Sequence, residues 1–168
     1  MNRKIYITGE INNDSYEVFS RRFSFLDKTK GVIYIELMSD GGYSFAALAF
    51  YDKIINSDND VHISAYGLVA SAATLILAAG DFRRIAKNAW CMVHEDEPEI
   101  PEGARVKQFE SIASNARMFE EQWAHLLEEN TSASSGKWAE LHLNETYLTP
   151  TECLDLGLVD EIITPRWE

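Results

Sequence analysis

Short apolar runs alternate with amphipathic stretches along the first half of the chain. Residues 4–9, 32–38 and 61–66 are rich in β-branched and aromatic side chains, a composition typical of strands. The intervening stretches carry apolar residues every three or four positions, which predicts helices around 16–26 and over 46–55. The run at 32–38 is apolar almost throughout, as in strands that are covered on both faces. This alternation predicts right-handed βαβ units and a mostly parallel sheet, which is an α/β fold.

The third strand-like run leads into the most apolar part of the chain, residues 66–80. We expect the strand to end at Gly67 and a buried helix to run from about Ser71 to Gly80. A serine at the start of such a helix can hold its hydroxyl at the mouth of a site, beside the free N–H groups of the first turn. The stretch therefore suits either a nucleophile with half of an oxyanion hole or a plain N-cap serine on a core helix.

The second half of the chain begins with two strand-like runs, residues 82–85 and 90–93, and His94 directly follows the second. The acidic residues 95–103 contain two prolines and predict an irregular connection. A long helix is expected from Ala104. Its apolar residues recur at spacings of three and four: Phe109, Ile112, Ala116, Phe119, Trp123 and Leu126. This narrow seam is the pattern of a helix that packs along another helix, and we favour a helix of a partner subunit.

Short elements are expected in the C-terminal part of the chain. The pattern predicts a helix over 136–143, an extended pair at 147–148 and a helix that starts around 149–152 with Pro150 at its first position. The end of a capped helix and a strand are expected within 156–163.

Composition narrows the classes of function. The 168 residues suffice for one domain with a sizeable core. The net charge is −12 and Lys and Arg do not cluster, which argues against a nucleic-acid surface. No apolar run reaches the roughly 20 residues that cross a bilayer, and no signal-peptide pattern precedes the first strand, so we expect a cytoplasmic protein. Cys91 and Cys153 lie within apolar stretches and are expected to be buried free thiols rather than a disulfide or a metal site.

Four short motifs occur in a fixed order: Ser-Asp-Gly-Gly at 39–42, Gly-Leu-Val-Ala-Ser at 67–71, Met-Val-His at 92–94 and Leu-Gly-Leu-Val-Asp at 156–160. Their order resembles that in the proteolytic subunit of Clp protease (ClpP), a family of self-compartmentalising serine peptidases. The resemblance runs from about residue 5 to residue 163. Gly42 and Ser71 are 29 positions apart, as are the second glycine of the family's turn and its nucleophile.

The resemblance implies an α/β domain with the ClpP/crotonase-like fold, in which repeated βαβ units carry a protruding long-helix handle. One domain is expected over 1–168, with a head formed by 1–94 and 143–168 and a handle region at 95–142. The family also implies a homo-oligomeric ring, often stacked as a double ring through the long helix. No metal, nucleotide or other cofactor is implied.

The resemblance also assigns roles to single residues. Ser71 matches the nucleophile and His94 the general base, while the backbone N–H groups of Gly42 and Ala72 match the oxyanion hole. These roles agree with the chemistry, because a serine hydroxyl needs an imidazole to take its proton and the imidazole needs a third group to fix its tautomer. A Gly-Gly turn lets the backbone approach a substrate carbonyl without a side chain in the way.

The residue at the position of the triad's third member differs from the Asp that the family has there. Aligning the family's aromatic–Leu–Ser/Thr run on residues 147–149 puts Glu145 at the position of the catalytic Asp. A glutamate can orient a histidine, although its extra methylene requires the backbone to lie farther away. Asn144 is the neighbouring candidate and could orient His94 without stabilising the imidazolium. We favour Glu145.

Other departures concern substrate binding and partners. Asp40 replaces the proline of the family's turn, and Ala73 replaces a glycine after the nucleophile. Residues 95–102 replace the glycine-rich strand that binds extended peptide and interlocks the rings. The chain begins at the first strand, so the N-terminal segment that lines the family's axial pore is expected to be absent, which argues against docking to an ATP-dependent unfoldase.

The predicted function is a serine endopeptidase that hydrolyses peptides or unfolded proteins through an acyl-enzyme. One alternative is a catalytically weak ring subunit with a structural or regulatory role, motivated by Asp40, Ala73 and the missing Asp. A second is a phage head-maturation protease of the same fold. A third is an acyl-CoA enzyme of the crotonase type, against which the presence of both Ser71 and His94 argues.

Three further histidines are expected to be structural or exposed: His62, His125 and His142. None has a partner at metal-ligand spacing. His142 is close in sequence to Glu145 and could compete with His94.

Overall fold

The computed structural model describes residues 2–95, 98 and 100–164. The acidic connection predicted at 95–103 therefore lies partly outside the described residues, as does the end of the predicted head. Strands and helices alternate along the described chain in this order: β1 (Lys4–Thr8), α1 (Asn13–Asp27), β2 (Ile33–Ser39), α2 (Ser44–Ile55), β3 (Val61–Ala70), α3 (Ala72–Ala78), β4 (Phe82–Ala86), β5 (Trp90–Val93), α4 (Val106–Asn130), α5 (Ser135–Leu143), β6 (Thr146–Leu148), α6 (Pro150–Asp155) and β7 (Glu161–Ile163).

The sheet is mostly parallel and has the order β1-β2-β3-β4-β7. β5 lies off this path, parallel to β3, and β6 pairs antiparallel with β5. Helices connect the parallel strands, as the chain geometry of a βαβ unit requires. The predicted α/β fold is thus confirmed.

The third strand is longer than its sequence pattern predicts. β3 does not end at Gly67 but continues to Ala70, because the strand changes partner there. Residues 62–65 pair with β4, whereas residues 68–70 pair with β5. Gly67 lies at this change with a φ of +60°, a conformation that costs glycine little.

Side-chain caps mark the N-terminal ends of α1 and α6. Asn12 caps α1 by accepting from the Ser15 N–H (2.9 Å), and the Ser15 hydroxyl accepts from the Asn12 N–H in return (2.9 Å). Thr149 caps α6 in the same reciprocal way with Glu152, and Pro150 occupies the first helical turn as predicted.

The long helix α4 is buried along only part of its length. Near its C-terminal end, Trp123 and Leu127 are buried in the core. Near its N-terminal end, Val106 and Phe109 are 76% and 51% exposed. The predicted apolar seam thus packs against its own chain at one end and is open to solvent at the other. No helix among the described residues is both long enough and apolar enough to traverse a bilayer.

The two cysteines are free and fully buried, as predicted. A hydrogen bond with Cys153 and burial together raise the pKa of the Cys91 thiol well above its ordinary value. Cys91 therefore stays protonated at neutral pH and acts as a packing residue of β5, three positions before His94.

The side chain of Arg83 on β4 links the residue before β7 and the end of α4. The guanidinium of Arg83 donates to both carboxylate oxygens of Asp160, at 3.1 Å and 2.8 Å, and Asp160 also accepts from the Arg83 backbone N–H (2.7 Å). The same guanidinium donates to the carbonyl of Asn130 (2.5 Å). The Arg83 side chain is only 11% exposed, so this bidentate pair is well shielded from solvent.

Replacing Asp160 by asparagine should lower the free energy of unfolding by about 1–3 kcal/mol, because the partly buried Arg83 charge loses its counterion. Urea unfolding followed by circular dichroism measures the loss. Asp155→Asn is the matched control on the exposed end of α6 and should change stability by less than about 0.5 kcal/mol. Equal midpoints for both variants would contradict the role of this ion pair.

Candidate active site

Two neighbouring strand ends bring Ser71 and His94 to one edge of the sheet. Ala70, the last residue of β3, pairs with Met92 of β5 in parallel register. The backbone N–H of Ser71 then donates to the carbonyl of Met92 (2.8 Å). Because the two strands are parallel, the residues that follow them emerge on the same side, as in other parallel sheets that carry sites at their carboxyl ends.

Ser71 has an unusual backbone conformation. Its φ and ψ are +52° and −126°, and its hydroxyl makes no hydrogen bond to the first turn of α3. Such a conformation costs a non-glycine residue on the order of 1–3 kcal/mol. Thr74 holds the turn, since its N–H (2.9 Å) and its hydroxyl (2.7 Å) both donate to the Ser71 carbonyl. Ser71 is thus the N-cap residue of α3 by position, as the plain interpretation expects, but its hydroxyl is left available instead of capping the helix.

Ser71 and His94 line a common narrow cleft. One wall comes from the starts of α2 and α3 and the end of β5, and the other comes from α4 and α5. Its remaining lining residues are Ser44, Ala72, Thr74, Val93, Phe119, Glu120, Trp123 and His142. The cleft thus places a serine hydroxyl and two imidazoles against the side of the long helix.

The Gly41-Gly42 turn packs directly against the Ser71 turn. A Cβ atom on Gly41 would lie 2.7 Å from Ser71 Cβ and 3.1 Å from the Ala72 nitrogen. A Cβ atom on Gly42 would lie 2.3 Å from the carbonyl oxygen of Ile11. Both glycines also have positive φ, +98° and +144°. The close approach of the two turns is thus possible only because neither residue has a side chain.

Two backbone N–H groups are free at this junction. Neither the Gly42 nor the Ala72 N–H donates a hydrogen bond within the described part of the chain. Ile11 fixes the turn on its other side, since its N–H donates to Gly41 (2.8 Å) and its carbonyl accepts from Tyr43 (2.7 Å). The junction therefore offers two unused donors beside the Ser71 hydroxyl, which suits a developing oxyanion.

A family model described as Clp protease matches residues 1–166. The chain belongs to the Clp protease family. The match covers nearly the whole chain, and it agrees with the mixed α/β architecture and the parallel sheet.

Ser39 supports the glycine turn of this Clp protease family member, a role that was not predicted from the sequence. Its side chain is buried at the end of β2, where the hydroxyl donates to the Gly9 carbonyl (2.5 Å) and accepts from the Gly41 N–H (3.0 Å). The signal was present in the sequence, because Ser39 follows Ile33, Ile35 and Leu37 on the inward-facing positions of β2.

The candidates for the third member of the triad lie away from the cleft. Glu145 is exposed, has a φ of +48°, and is joined to the helix before it by its backbone N–H, which donates to the His142 carbonyl (3.0 Å). The Asn144 amide donates to the Glu140 carbonyl (2.8 Å). Neither side chain hydrogen-bonds to His94 within the described residues, so the assignment of Glu145 stays a prediction.

The two residues near Ser71 that differ from the family's pattern, Asp40 and Ala73, have different surroundings. Asp40 is exposed and is not among the residues that line the cleft. Ala73 is fully buried within α3. Neither puts a charged or bulky group into the cleft.

The remaining histidines have distinct surroundings. His62 packs between the rings of Tyr34 and Phe82, and His125 lies on the exposed face of α4. His142 is instead buried in the wall of the cleft, where its Nδ1 lies 3.2 Å from a carboxylate oxygen of Glu120. Among the described residues no cluster of His, Cys, Asp and Glu could hold a metal ion.

Replacing Ser39 by alanine should loosen the Gly41-Gly42 turn, because both the Gly9 carbonyl and the Gly41 N–H lose their partner. We expect a loss of about 1–3 kcal/mol of stability and a reaction of Ser71 with a fluorophosphonate that is at least about tenfold slower in the folded protein. Labelling rates from intact-protein mass measure the second effect.

Ser64→Ala is the matched control, since Ser64 is a buried serine on β3 whose hydroxyl accepts from Arg84 (3.2 Å) and does not line the cleft. It should lower stability and leave the labelling rate unchanged. If both alanine variants reacted like the wild type, the turn would not depend on the Ser39 hydroxyl.

Proposed function

We propose that this Clp protease family member is a serine endopeptidase that cleaves peptide bonds in peptides or unfolded proteins. The Ser71 oxygen attacks the scissile carbonyl while His94 takes the hydroxyl proton. His94 then gives that proton to the leaving amine, and an acyl-enzyme forms on Ser71. Water, activated by the same imidazole, hydrolyses the ester and restores the free serine.

The observation that carries this proposal is the strained backbone of Ser71. A core serine with a purely structural role has no reason to adopt a φ of +52° and leave its hydroxyl out of the helix cap. The surrounding turns stabilise this conformation through Thr74 and through the bond to Met92. Strain of this kind is found where a nucleophile must project from a sharp strand-to-helix turn.

The oxyanion is assigned to the N–H groups of Gly42 and Ala72. They come from two different turns that are packed together, so their positions are set before the substrate binds. Preorganised donors of this kind stabilise the transition state more than the ground-state carbonyl, and removing one such donor typically costs about 3–4 kcal/mol of barrier.

Ser71 and His94 share the cleft but do not hydrogen-bond to each other within the described residues. Catalytic hydrogen bonds are often long or poorly aligned before substrate binds, and they tighten in the complex. Clp proteases are typically oligomeric, and we propose that this chain forms a ring, stacked through the exposed half of α4. The two free thiols suit a reducing compartment, and we assign the protein to the cytoplasm.

The decisive experiment treats the assembled protein with a fluorophosphonate and a fluorogenic peptide. We expect one adduct, located on Ser71 by peptide mapping, together with peptide hydrolysis. Both should be lost in Ser71→Ala, and the adduct should form at least about 1000-fold more slowly in His94→Ala, because the hydroxyl then has no base.

Ala-substituted variants must match the wild type in thermal unfolding and in assembly for this comparison. An intact wild-type ring that forms no adduct and hydrolyses no peptide would overturn the peptidase. That result would favour the structural or regulatory ring subunit.

The exposed half of α4 makes a separate prediction about assembly. Phe109→Glu should reduce the mass of the oligomer in light scattering, because a charge then has to be buried where the apolar seam meets its partner. Lys107→Glu changes charge two residues earlier, off the seam, and should keep the wild-type mass. An unchanged mass in Phe109→Glu would exclude this half of α4 from the interface.

A further inference from the structure

The cleft contains a buried imidazole nitrogen with nothing to bind. Nε2 of His142 is inaccessible to solvent and has no hydrogen-bond partner, a property shared among the described residues only with Nε of Arg84. The His142 side chain is 3% exposed. A buried polar atom without a partner costs about 1–3 kcal/mol, so its presence calls for a physical reason.

Glu120 determines which nitrogen of His142 carries the proton. The 3.2 Å contact joins Nδ1 to a carboxylate oxygen, and an ionised carboxylate can only accept. Nδ1 is therefore the N–H of the neutral ring, and Nε2 carries a free lone pair. The pair has the same form as an acid that orients a histidine, with an acceptor nitrogen left at the far side of the ring.

That acceptor belongs to a residue that lines the same cleft as the candidate base. His142 and Glu120 line the same cleft as Ser71 and His94, from the side of α4 and α5. A base that takes the serine proton at one nitrogen has an N–H at the other, which must meet an acceptor. Glu145, the residue aligned with the family's acid, is exposed and outside the cleft.

We propose that His142, held by Glu120, is the positioning residue for His94, and that Nε2 of His142, which has no partner in this structure, accepts the His94 N–H in the assembled, working site. The relay of this chain is thus Ser71–His94–His142, with Glu120 as its negative charge. This inference rests on the proposed peptidase function. When His94 takes the serine proton, its second N–H becomes a stronger donor, and the carboxylate stabilises the positive charge through the intervening ring.

Other charges near His142 are weaker influences. Glu95, Arg117 and Glu121 line the groove next to the cleft, together with Glu120 and His142. Glu95, Arg117 and Glu121 are exposed, so solvent and salt screen them. The Glu120 side chain is 21% exposed and lies in direct contact with the ring, so its charge dominates.

The first test compares labelling of Ser71 in the assembled protein across pH. His142→Phe keeps an aromatic ring in the wall but removes the acceptor, and we expect labelling to be about 100-fold slower or more. The melting temperature should fall little compared with the labelling rate. The variant loses the contact with Glu120, but it also removes the buried, unpaired Nε2. His142→Gln, whose amide oxygen can reach the position of Nε2, should recover part of the rate.

The second test removes the charge alone. Glu120→Gln keeps an acceptor for Nδ1, so the fold is retained, but the imidazolium of His94 is no longer stabilised. We expect the maximal rate of Ser71 labelling to fall. We also expect the acidic limb of the pH–rate profile to move to lower pH. Glu121→Gln, the exposed neighbour on α4, should leave the profile unchanged. A purely structural role for Glu120 would change the melting temperature and leave the acidic limb where it was.

The outcomes separate this inference from the proposed function. Labelling that needs His94 but is unaffected by His142→Phe and Glu120→Gln overturns the relay, and a large loss in Glu145→Gln would then assign the acid to Glu145. A wild type that is not labelled overturns the peptidase instead.

In that case the relay is judged by ¹⁵N NMR of the imidazoles. We expect His142 to be protonated at Nδ1, and its Nε2 resonance to shift when His94 is replaced by alanine. An Nε2 resonance that is the same in the wild type and His94→Ala overturns the relay.

Discussion

The pairing of β3 with β5 is the constraint on which the site depends. β3 leaves β4 at Gly67 and gains β5 as its neighbour for three residues, and the bond from Ser71 to Met92 continues that ladder by one step. This short ladder sets the distance between the two chain segments that carry Ser71 and His94. The buried Cys91, beside Cys153 of α6, fixes β5 from the other side. The position of the His94 backbone thus follows from sheet register and packing.

This site depends on two residues that have no side chain, Gly41 and Gly42. The Gly41-Gly42 turn approaches Ser71 and Ile11 so closely that any Cβ would overlap with backbone. The close contact leaves two backbone N–H donors free. Because the glycines have no side chains, however, side-chain packing cannot hold the turn in place. Ser39 compensates, because its buried hydroxyl links this turn to the loop after β1. Rigidity here comes from hydrogen bonds to backbone, which is what preorganised donors require.

Features with a local cause could be predicted from the sequence, and those with a tertiary cause could not. β5 and the start of α6 have clear local signals, a short apolar run and a Thr-Pro cap, and both are confirmed. The predicted end of β3 at Gly67 was wrong, because residues 68–70 extend the strand by pairing with β5, a tertiary contact that the local pattern does not show. His142 lies in a polar stretch, and its burial depends on the packing of α5 against α4. An alignment could place Glu145 but could not show that its side chain is exposed.

The long helix α4 connects the cleft to the exposed surface that we propose for a partner subunit. α4 spans 25 residues, or about 37 Å, and Phe119, Glu120 and Trp123 on its middle part form one wall of the cleft. Phe119 also contacts Phe45 at the start of α2, close to the glycine turn. Because a helix is stiff along its axis, a partner bound to the exposed first half, as we propose, would bias the position of that wall. On the proposed function, assembly and the orientation of His94 would therefore be coupled through Glu120 rather than through a residue beside Glu145, and a chain that is not assembled would have a nucleophile in place but an incompletely oriented base.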